Sequence, residues 1–574
     1  MKIKSPAPAL KSIVTVALIA GCFAALIMPT LRKAPMSQSI GMLSEIPVQH
    51  AGRIKPFESF AREAVLYVTG KHVYDGQSPT SLVWQWMADP EKWFRRAMIP
   101  VTHKGLREEF SLMMVRNRIT PEILLSHQPF LDQVQESFNR QELKEELSEV
   151  EKKRVALYEK AAFFRGIGHG ALPGWIAQPD DPRKGWFPLT AFAVEQGRGD
   201  LASHYSGQLL TEYQITVRDI LDSFKENSGQ GPPLELTVRL REVLRSLFSS
   251  ASVMLDEKVN STEILYNRFQ PFHWAWKLYL VSVLIAWTLL LIGGEPGKLQ
   301  RAISALGFLC FIAGFVAHAY GFYLRVVISG RPPVTNMYES MIWVSWGVVL
   351  FSVILFAVYR APYIRLTAAI VAALALVLAE KFPVALNPAM SPLVPVLRSN
   401  LWLTVHVLTI TLSYGAFMLA WGLGHGIVYQ YAFGPDNAQT RQRLFQYLYR
   451  SLQIGVILLA CGTVLGGVWA NYSWGRFWGW DPKETWALIA LLGYLAVLHG
   501  RMAGWLSSFG VAVGSVVAFL GILMAWYGVN FVLGAGLHSY GFGGGGLTYV
   551  LSGVAVDLAL LGWMVYAFRR RSAN

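Results

Sequence analysis

The chain has 574 residues, of which 53% are hydrophobic and only 15% charged, with a mean hydropathy of +0.35. That balance excludes a single compact soluble domain and points to a multi-pass membrane protein, because runs of about 20 apolar residues are what cross a ~30 Å hydrocarbon core. The net charge of +14 comes without a basic stripe or a nucleic-acid-binding motif, so it reads as charge flanking membrane spans, with no nucleic acid as partner.

Residues 1–30 combine Lys2, Lys4 and Lys11 with the apolar run Ser12–Pro29. No small-x-small cleavage pattern precedes Pro29, so an uncleaved anchor is expected, with its N-terminus in the cytoplasm. Residues 31–270 change character. They are rich in charge and turns, and they read as a mostly helical extracytoplasmic domain. Within it, PEILLSHQPFLDQVQESF reads as one amphipathic helix. ELKEELSEVEKKRVALYEKAAFF, from Glu142, reads as a longer helix laced with i,i+4 charge pairs, and REVLRSLFSSASVML as a third.

Residues 271–574 form a membrane core. Spans are expected near 273–293, 300–323, 337–359, 364–380, 401–431, 453–471, 485–501, 509–534 and 548–568. If the spans alternate from an outer domain, Lys298/Arg301, Arg360/Arg365, Arg441/Arg443/Arg450, Arg501 and Arg569–Arg571 all fall inside, as the positive-inside rule requires. The expected fold class is an all-α polytopic membrane protein of about ten transmembrane helices, with the mostly helical extracytoplasmic domain inserted after the first. Arg325, Arg331, Arg398, Arg476 and Lys483 fall at the outer face. They are either ordinary outer charges or contacts for an acidic ligand.

Cys22, Cys310 and Cys461 are far apart and each lies in a predicted span, so no Cys-x-x-Cys redox pair or Cys-based zinc site exists within the chain. They read as small buried hydrophobes. Six of the 12 histidines fall in residues 31–270 without metal-ligand spacing. The others, His273, His318, His406, His425, His499 and His538, fall in the membrane core, where ionisable residues are expensive and usually face a cavity or partner. His273 and His318 read as core imidazoles bonded to backbone carbonyls.

The stretch WGRFWGWDPKETW at 474–486 holds four of the 20 tryptophans. An interfacial belt would scatter them over many loops. His406 lies just inside the outer end of its span, and His538 lies in the outer loop VLGAGLHSYGFGGGG. Two imidazoles on either side of an aromatic shelf suit a planar, apolar, iron-centred ligand. Indoles supply broad contact with a polar edge, and Arg476 could pair with haem propionates. Asp481 is expected to fix the loop, since Asp followed by Pro is a good helix opening. His499 lies roughly 22 Å along its helix from Glu484, near the inner face, and His425 is also deep in its span.

WGRFWGWDPKETW resembles the tryptophan-rich WWD motif of the haem-handling membrane proteins of cytochrome c maturation: CcsA (also called ResC), CcmC and CcmF. The likeness is greatest to CcsA. PVTNMYES at 333–340, LWLTVHV at 401–407 and GLHSYGFGG at 536–544 carry it further, over about residues 300–570. IPVQHAGRIKPFESFARE at 46–63 is similar to a stretch of longer CcsA relatives.

The resemblance implies a protein of the inner (cytoplasmic) membrane that exports haem and holds it at an outer, periplasmic site. There its vinyl groups join the cysteines of Cys-x-x-Cys-His in an apocytochrome c, as part of a holocytochrome c synthase complex. The implied partners are a CcsB/ResB-like membrane protein, the apocytochrome c and a thiol-reducing protein. The matching positions make His406 and His538 the outer axial ligands of the haem iron, and His499 the histidine of an inward haem position. Trp474, Gly475, Trp478, Trp480 and Asp481 match the motif itself. Fused forms carry a whole CcsB portion, whereas this chain has one predicted span and a long domain without a clear CcsB match. The second inner histidine then comes from a partner, from His425 or from His318.

Two alternatives stand beside this reading. One is a haem exporter or chaperone that feeds a separate ligase. The other is a transporter of another amphipathic solute, which would show inverted repeats that are not visible here.

Overall fold

The computed structural model describes residues 21, 37–179, 185–193, 195–226, 231–251, 256–292, 297–359, 362–383, 386–393, 399–435, 437–533 and 546–573. The expected N-terminal anchor with Cys22, together with Arg360, Arg398, His538 and the GLHSYGFGG stretch, lies outside the described residues. The chain forms two compact units, residues 34–268 and residues 269–574.

In the N-terminal unit, helices pack around an aromatic core of Phe57, Phe60, Trp84, Trp86 and Trp175, all buried. The stretch expected to form one amphipathic helix forms two, Pro121–Ser126 and Gln128–Glu142. Pro129 has no N–H to extend an upstream helix, but it fits the first turn of a new one, where no donor is needed. The helix expected to run from Glu142 starts at Glu149 instead. Ser148 and Glu151 cap each other's backbone there in a reciprocal box, and Lys144 ahead of it takes a left-handed φ of 58°. The third expected helix begins earlier than its quoted stretch, at Leu234 after Pro233.

A small antiparallel sheet orders Arg53–Pro56, Pro47–His50, Gly174–Ile176 and Phe187–Pro188 side by side. Its hairpin turns at Ala51 and Gly52, both at positive φ, within the IPVQHAGRIKPFESFARE stretch. A bidentate Arg53–Glu263 pair at 2.6 and 2.8 Å ties that hairpin to the helix Glu257–Phe269.

Among the described residues the second unit is built from nine long helices. They are α1 (Pro271–Ile292), α2 (Lys298–Ser329), α3 (Met337–Tyr359), α4 (Pro362–Lys381), α5 (Leu408–Ala432), α6 (Ala438–Trp474), α7 (Pro482–Met502), α8 (Ser508–Leu523) and α9 (Leu547–Ala573). Among the described residues nine helices are long and apolar enough to cross a membrane. The protein is therefore an all-α, multi-pass membrane protein.

The helices outrun their apolar stretches at several ends, because regular backbone hydrogen bonding continues past the hydrocarbon limit. Arg441, Arg443 and Arg450, expected in a loop, ride on the first turns of α6. Two ends are not plain α-helix: a π-helical turn, Leu403–Val407, leads into α5, and another, Met524–Leu533, prolongs α8.

Helix α5 is the centre of this unit. Of its apolar window 61% is buried, against 11% for α9, and it packs on α3, α4, α6, α8 and α9. Contact with α6 is close because α6 presents glycines. A Cβ at Gly455, Gly462 or Gly466 would come within 2.6–2.7 Å of Phe417, Ile410 or His406 respectively. Small residues at such a seam let helix backbones approach where no water is available to drive association.

Candidate functional site

The aromatic stretch is shaped by local backbone chemistry. Gly475 ends α6 in the left-handed conformation, φ 69°, with its N–H on the Asn471 carbonyl at 3.0 Å. The chain then folds back, so that the Phe477 ring lies against Gly467, where a Cβ would stand only 2.6 Å from it. Trp480 also takes a left-handed φ, 57°, which is rare for so large a side chain.

Asp481 is buried and caps α7. Its carboxylate accepts the Lys483 N–H at 2.9 Å, and Pro482 fills the first turn, as the Asp-Pro pair predicts. Glu484 closes the box from the other side, accepting the N–H groups of Gly479 at 2.8 Å and Asp481 at 3.2 Å. This fold sends Trp478 and Trp480 in perpendicular directions, their rings 5.8 Å apart at 89°. Trp478 lines a cavity, and Trp480 is 70% exposed.

His406 sits on the π-helical turn before α5, half-buried and on the same cavity. Its Nδ1 lies 2.8 Å from the Gly462 carbonyl oxygen. A carbonyl only accepts, so Nδ1 carries a proton, which in the neutral ring leaves the lone pair on Nε2. The ring rests on Gly466 and meets Trp469 edge-on at 5.6 Å. Thr463, Gly467 and Trp469 of α6, Lys483, Glu484 and Ala487 of α7, and Trp526, Asn530 and Phe531 from the α8 end complete much of the wall.

The last wall comes from the PVTNMYES stretch, through Val334–Met337 and Ser340. Trp526 donates its indole N–H to Ser340 Oγ at 2.9 Å, joining that wall to α8. The stretch is pinned by a fully buried ion pair, Arg325–Glu339, at 2.6 Å. Arg325 also donates to the Pro388 carbonyl, while Glu339 accepts from the N–H and hydroxyl of Thr335. Arg325, expected as an outer-face charge, is thus an internal brace. Its partner lies on the next helix, beyond the reach of local charge pairing in the sequence.

The remaining expected site residues are spread out. Arg476 approaches Glu484 at 3.8 Å and does not line the cavity; nor do Trp474, Gly475, Trp480 and Asp481. His499 is exposed near the far end of α7, roughly 25 Å along the axis from Pro482, with Nδ1 on the Leu495 carbonyl. His318 is fully buried, its Nε2 3.0 Å from the Ile342 carbonyl oxygen, the form expected of a core imidazole. His273 differs from expectation: it meets the Glu380 carboxylate at 2.7 Å, which also accepts the Trp276 indole N–H. His425 lies 3.1 Å from Asp557 on α9. Among the described residues no group of three or more His, Cys, Asp or Glu could hold a bare metal ion.

Residues 334–538 match the family model described as cytochrome C assembly protein, a span that holds every residue of the cavity wall. The chain is 34% identical over 253 residues to the cytochrome c biogenesis protein CcsA of Prochlorococcus marinus (strain NATL2A), covering 38% of this chain and 79% of that protein. It is 32% identical over 299 residues to CcsA of Synechococcus sp. (strain CC9902), covering 47% of this chain and 94% of that protein. The chain belongs to the CcsA family of cytochrome c biogenesis proteins. It is also 31% identical over 516 residues to Protein NrfI of Wolinella succinogenes, a match covering 86% of this chain and 53% of NrfI. The chain therefore spans about half the length of NrfI. The match is longer than the membrane unit, so it reaches into residues 34–268 as well. Lys483, Asn530, Trp526 and the Arg325–Glu339 brace were not legible as parts of one site, because the packing of α2, α3, α7 and α8 is what assembles them.

Proposed function

We propose that this CcsA-family protein binds haem in the His406–Trp478 cavity and presents it for thioether attachment to the Cys-x-x-Cys-His motif of an apocytochrome c. The observation that carries the reading is that one cavity holds a histidine whose Nδ1 bonds a backbone carbonyl, three indoles and a half-buried cation. Those are the groups a planar, apolar, iron-centred ligand with acidic edges requires.

His406 is the axial ligand supplied by the α5 end. Donation from its Nδ1–H to Gly462 orients the ring and makes Nε2 a better donor to iron. His538 supplies the second imidazole, as the family motif implies. Trp469, Trp478 and Trp526 cover the ring and exclude water. When bound, haem supplies the two vinyl carbons that accept the cysteine thiols; the protein's share is to hold those carbons where the thiols arrive. The histidine of the apocytochrome then displaces one protein imidazole. The thiols must be reduced by another protein, since the chain has no Cys-x-x-Cys pair.

The proposal places the protein in the inner membrane, with residues 31–270 and the aromatic stretch outside and His499 at an inward haem position. A CcsB/ResB-like partner is proposed to supply the second inner histidine.

The test is maturation of a reporter cytochrome c in cells stripped of their own maturation genes, with this chain and its CcsB-like partner expressed together. Covalent haem on the reporter, lost on His406→Ala, is the expected result. Haem on the purified complex without attachment to the reporter would sink the attachment claim and leave an exporter that feeds a separate ligase.

A further inference from the structure

Lys483 is placed against every local preference for a cation. It lies in the first turn of α7, where the helix dipole is positive and repels it. It lies at the end of a membrane-spanning helix, on the wall of a cavity lined by indoles. Among the described residues its ammonium bonds to the neutral Asn530 amide oxygen at 3.2 Å and makes no ion pair within 4 Å.

The two acids nearest in sequence are committed elsewhere. Asp481 accepts the Lys483 backbone N–H, and Glu484 closes the helix cap and faces Arg476. A half-buried ammonium on a cavity wall, with the neighbouring Asp481 and Glu484 carboxylates taken up by the helix cap rather than bonded to it, can take an anionic ligand as its direct partner. The α7 N-terminus, which repels the lysine, would attract the same anion.

We propose that Lys483, held by Asn530, anchors a propionate carboxylate of the bound haem and so sets which edge of the ring faces α7 and α8. The inference rests on the haem reading of the cavity and adds an orientation to it. It also transfers the propionate role from Arg476, whose nearest acid is Glu484, to a residue on the cavity wall.

The test compares ferric protoporphyrin IX with its dimethyl ester, in which both carboxylates are neutral. Each is titrated by Soret absorbance into the full-length protein, purified with its membrane partner, as wild type and as Lys483→Gln. Wild type is expected to bind the free acid at least about tenfold more tightly than the ester, the scale of one charge-assisted hydrogen bond. K483Q is expected to remove that preference by weakening the acid alone. Ester affinity unchanged by K483Q shows that the cavity is intact. An acid preference that survives K483Q overturns the anchor. So does an equal loss for acid and ester, which would make Lys483 a structural residue. Failure of wild type to bind either compound would bring down the haem reading itself, a result distinct from both.

Discussion

His406 joins three things that sequence alone keeps apart: a π-helical turn, the Gly462 carbonyl and the bare backbone of Gly466. A methyl group at Gly466 would stand 2.6 Å from the imidazole, so Gly466→Ala should push the ring aside. We expect it to weaken haem binding by about tenfold, a loss on the scale of one displaced contact. Gly493→Ala on α7, with nothing within 4 Å, should leave binding unchanged. Equal affinities for the two variants would contradict the packing role of Gly466. His406 and Trp478 were legible because a histidine at a span end and a dense indole cluster are rare enough to notice. Lys483 was visible only as an outer charge, since its place on the cavity wall depends on how Asp481 and Glu484 cap α7. Arg325 was misjudged for the same kind of reason: its carboxylate partner, Glu339, lies on α3.

At the scale of elements, the cavity depends on two braces. The Asp481–Glu484 cap fixes the start of α7 and the direction of Trp478. Asp481→Ala should cost about 1 kcal/mol of stability, typical for a lost N-cap, and should broaden the haem spectrum as Trp478 loses its fixed position. The Arg325–Glu339 pair is the stronger brace. Removing one partner leaves a buried charge alone, so Arg325→Met should cost about 3–5 kcal/mol. The double variant Arg325→Met/Glu339→Leu should regain part of that in thermal unfolding of the detergent-solubilised protein. A double variant less stable than both singles would show that the pair is not the source of the cost.

Most of the described spans were legible to within a few residues because apolar length is a strong signal; α6, expected near 453–471, instead starts at Ala438, and α2 runs on to Ser329, because helical hydrogen bonding continues into polar sequence. The breaks near Pro129 and Ser148 were missed because charge periodicity runs through them. The small sheet was missed because strands of two to four residues carry almost no alternation to read.

At the scale of the whole molecule, two units of different character share one chain. The N-terminal unit carries its own pH response. His50 packs edge-on against Phe60 and Phe163, and burial, aided by Lys55, pulls its pKa down from 6.5 to about 4. Between those values the unfolded chain takes up a proton that the folded unit refuses, so stability from this group is complete above about pH 6.5 and falls as the pH drops toward 4. Thermal melts of the full chain, followed by tryptophan fluorescence, should show a steeper loss between pH 7 and pH 5 for wild type than for His50→Gln. Parallel pH profiles would remove His50 as the cause. The family and the membrane class were legible from composition and four short motifs. The length of the NrfI match was not, because the N-terminal unit carries no motif as dense as the aromatic stretch.

The central claim, a haem held between His406 and His538 over the aromatic stretch, is tested most directly by one absorption spectrum. The protein should be purified with its membrane partner from haem-replete cells, as wild type, His406→Ala and His538→Ala. Wild type should show the sharp Soret and α bands of low-spin, bis-imidazole haem. Each variant should lose or shift them, and free imidazole should restore them by filling the vacated position. Unchanged bands in both variants, or a wild type without haem, would contradict the account and leave WGRFWGWDPKETW as a dense interfacial belt.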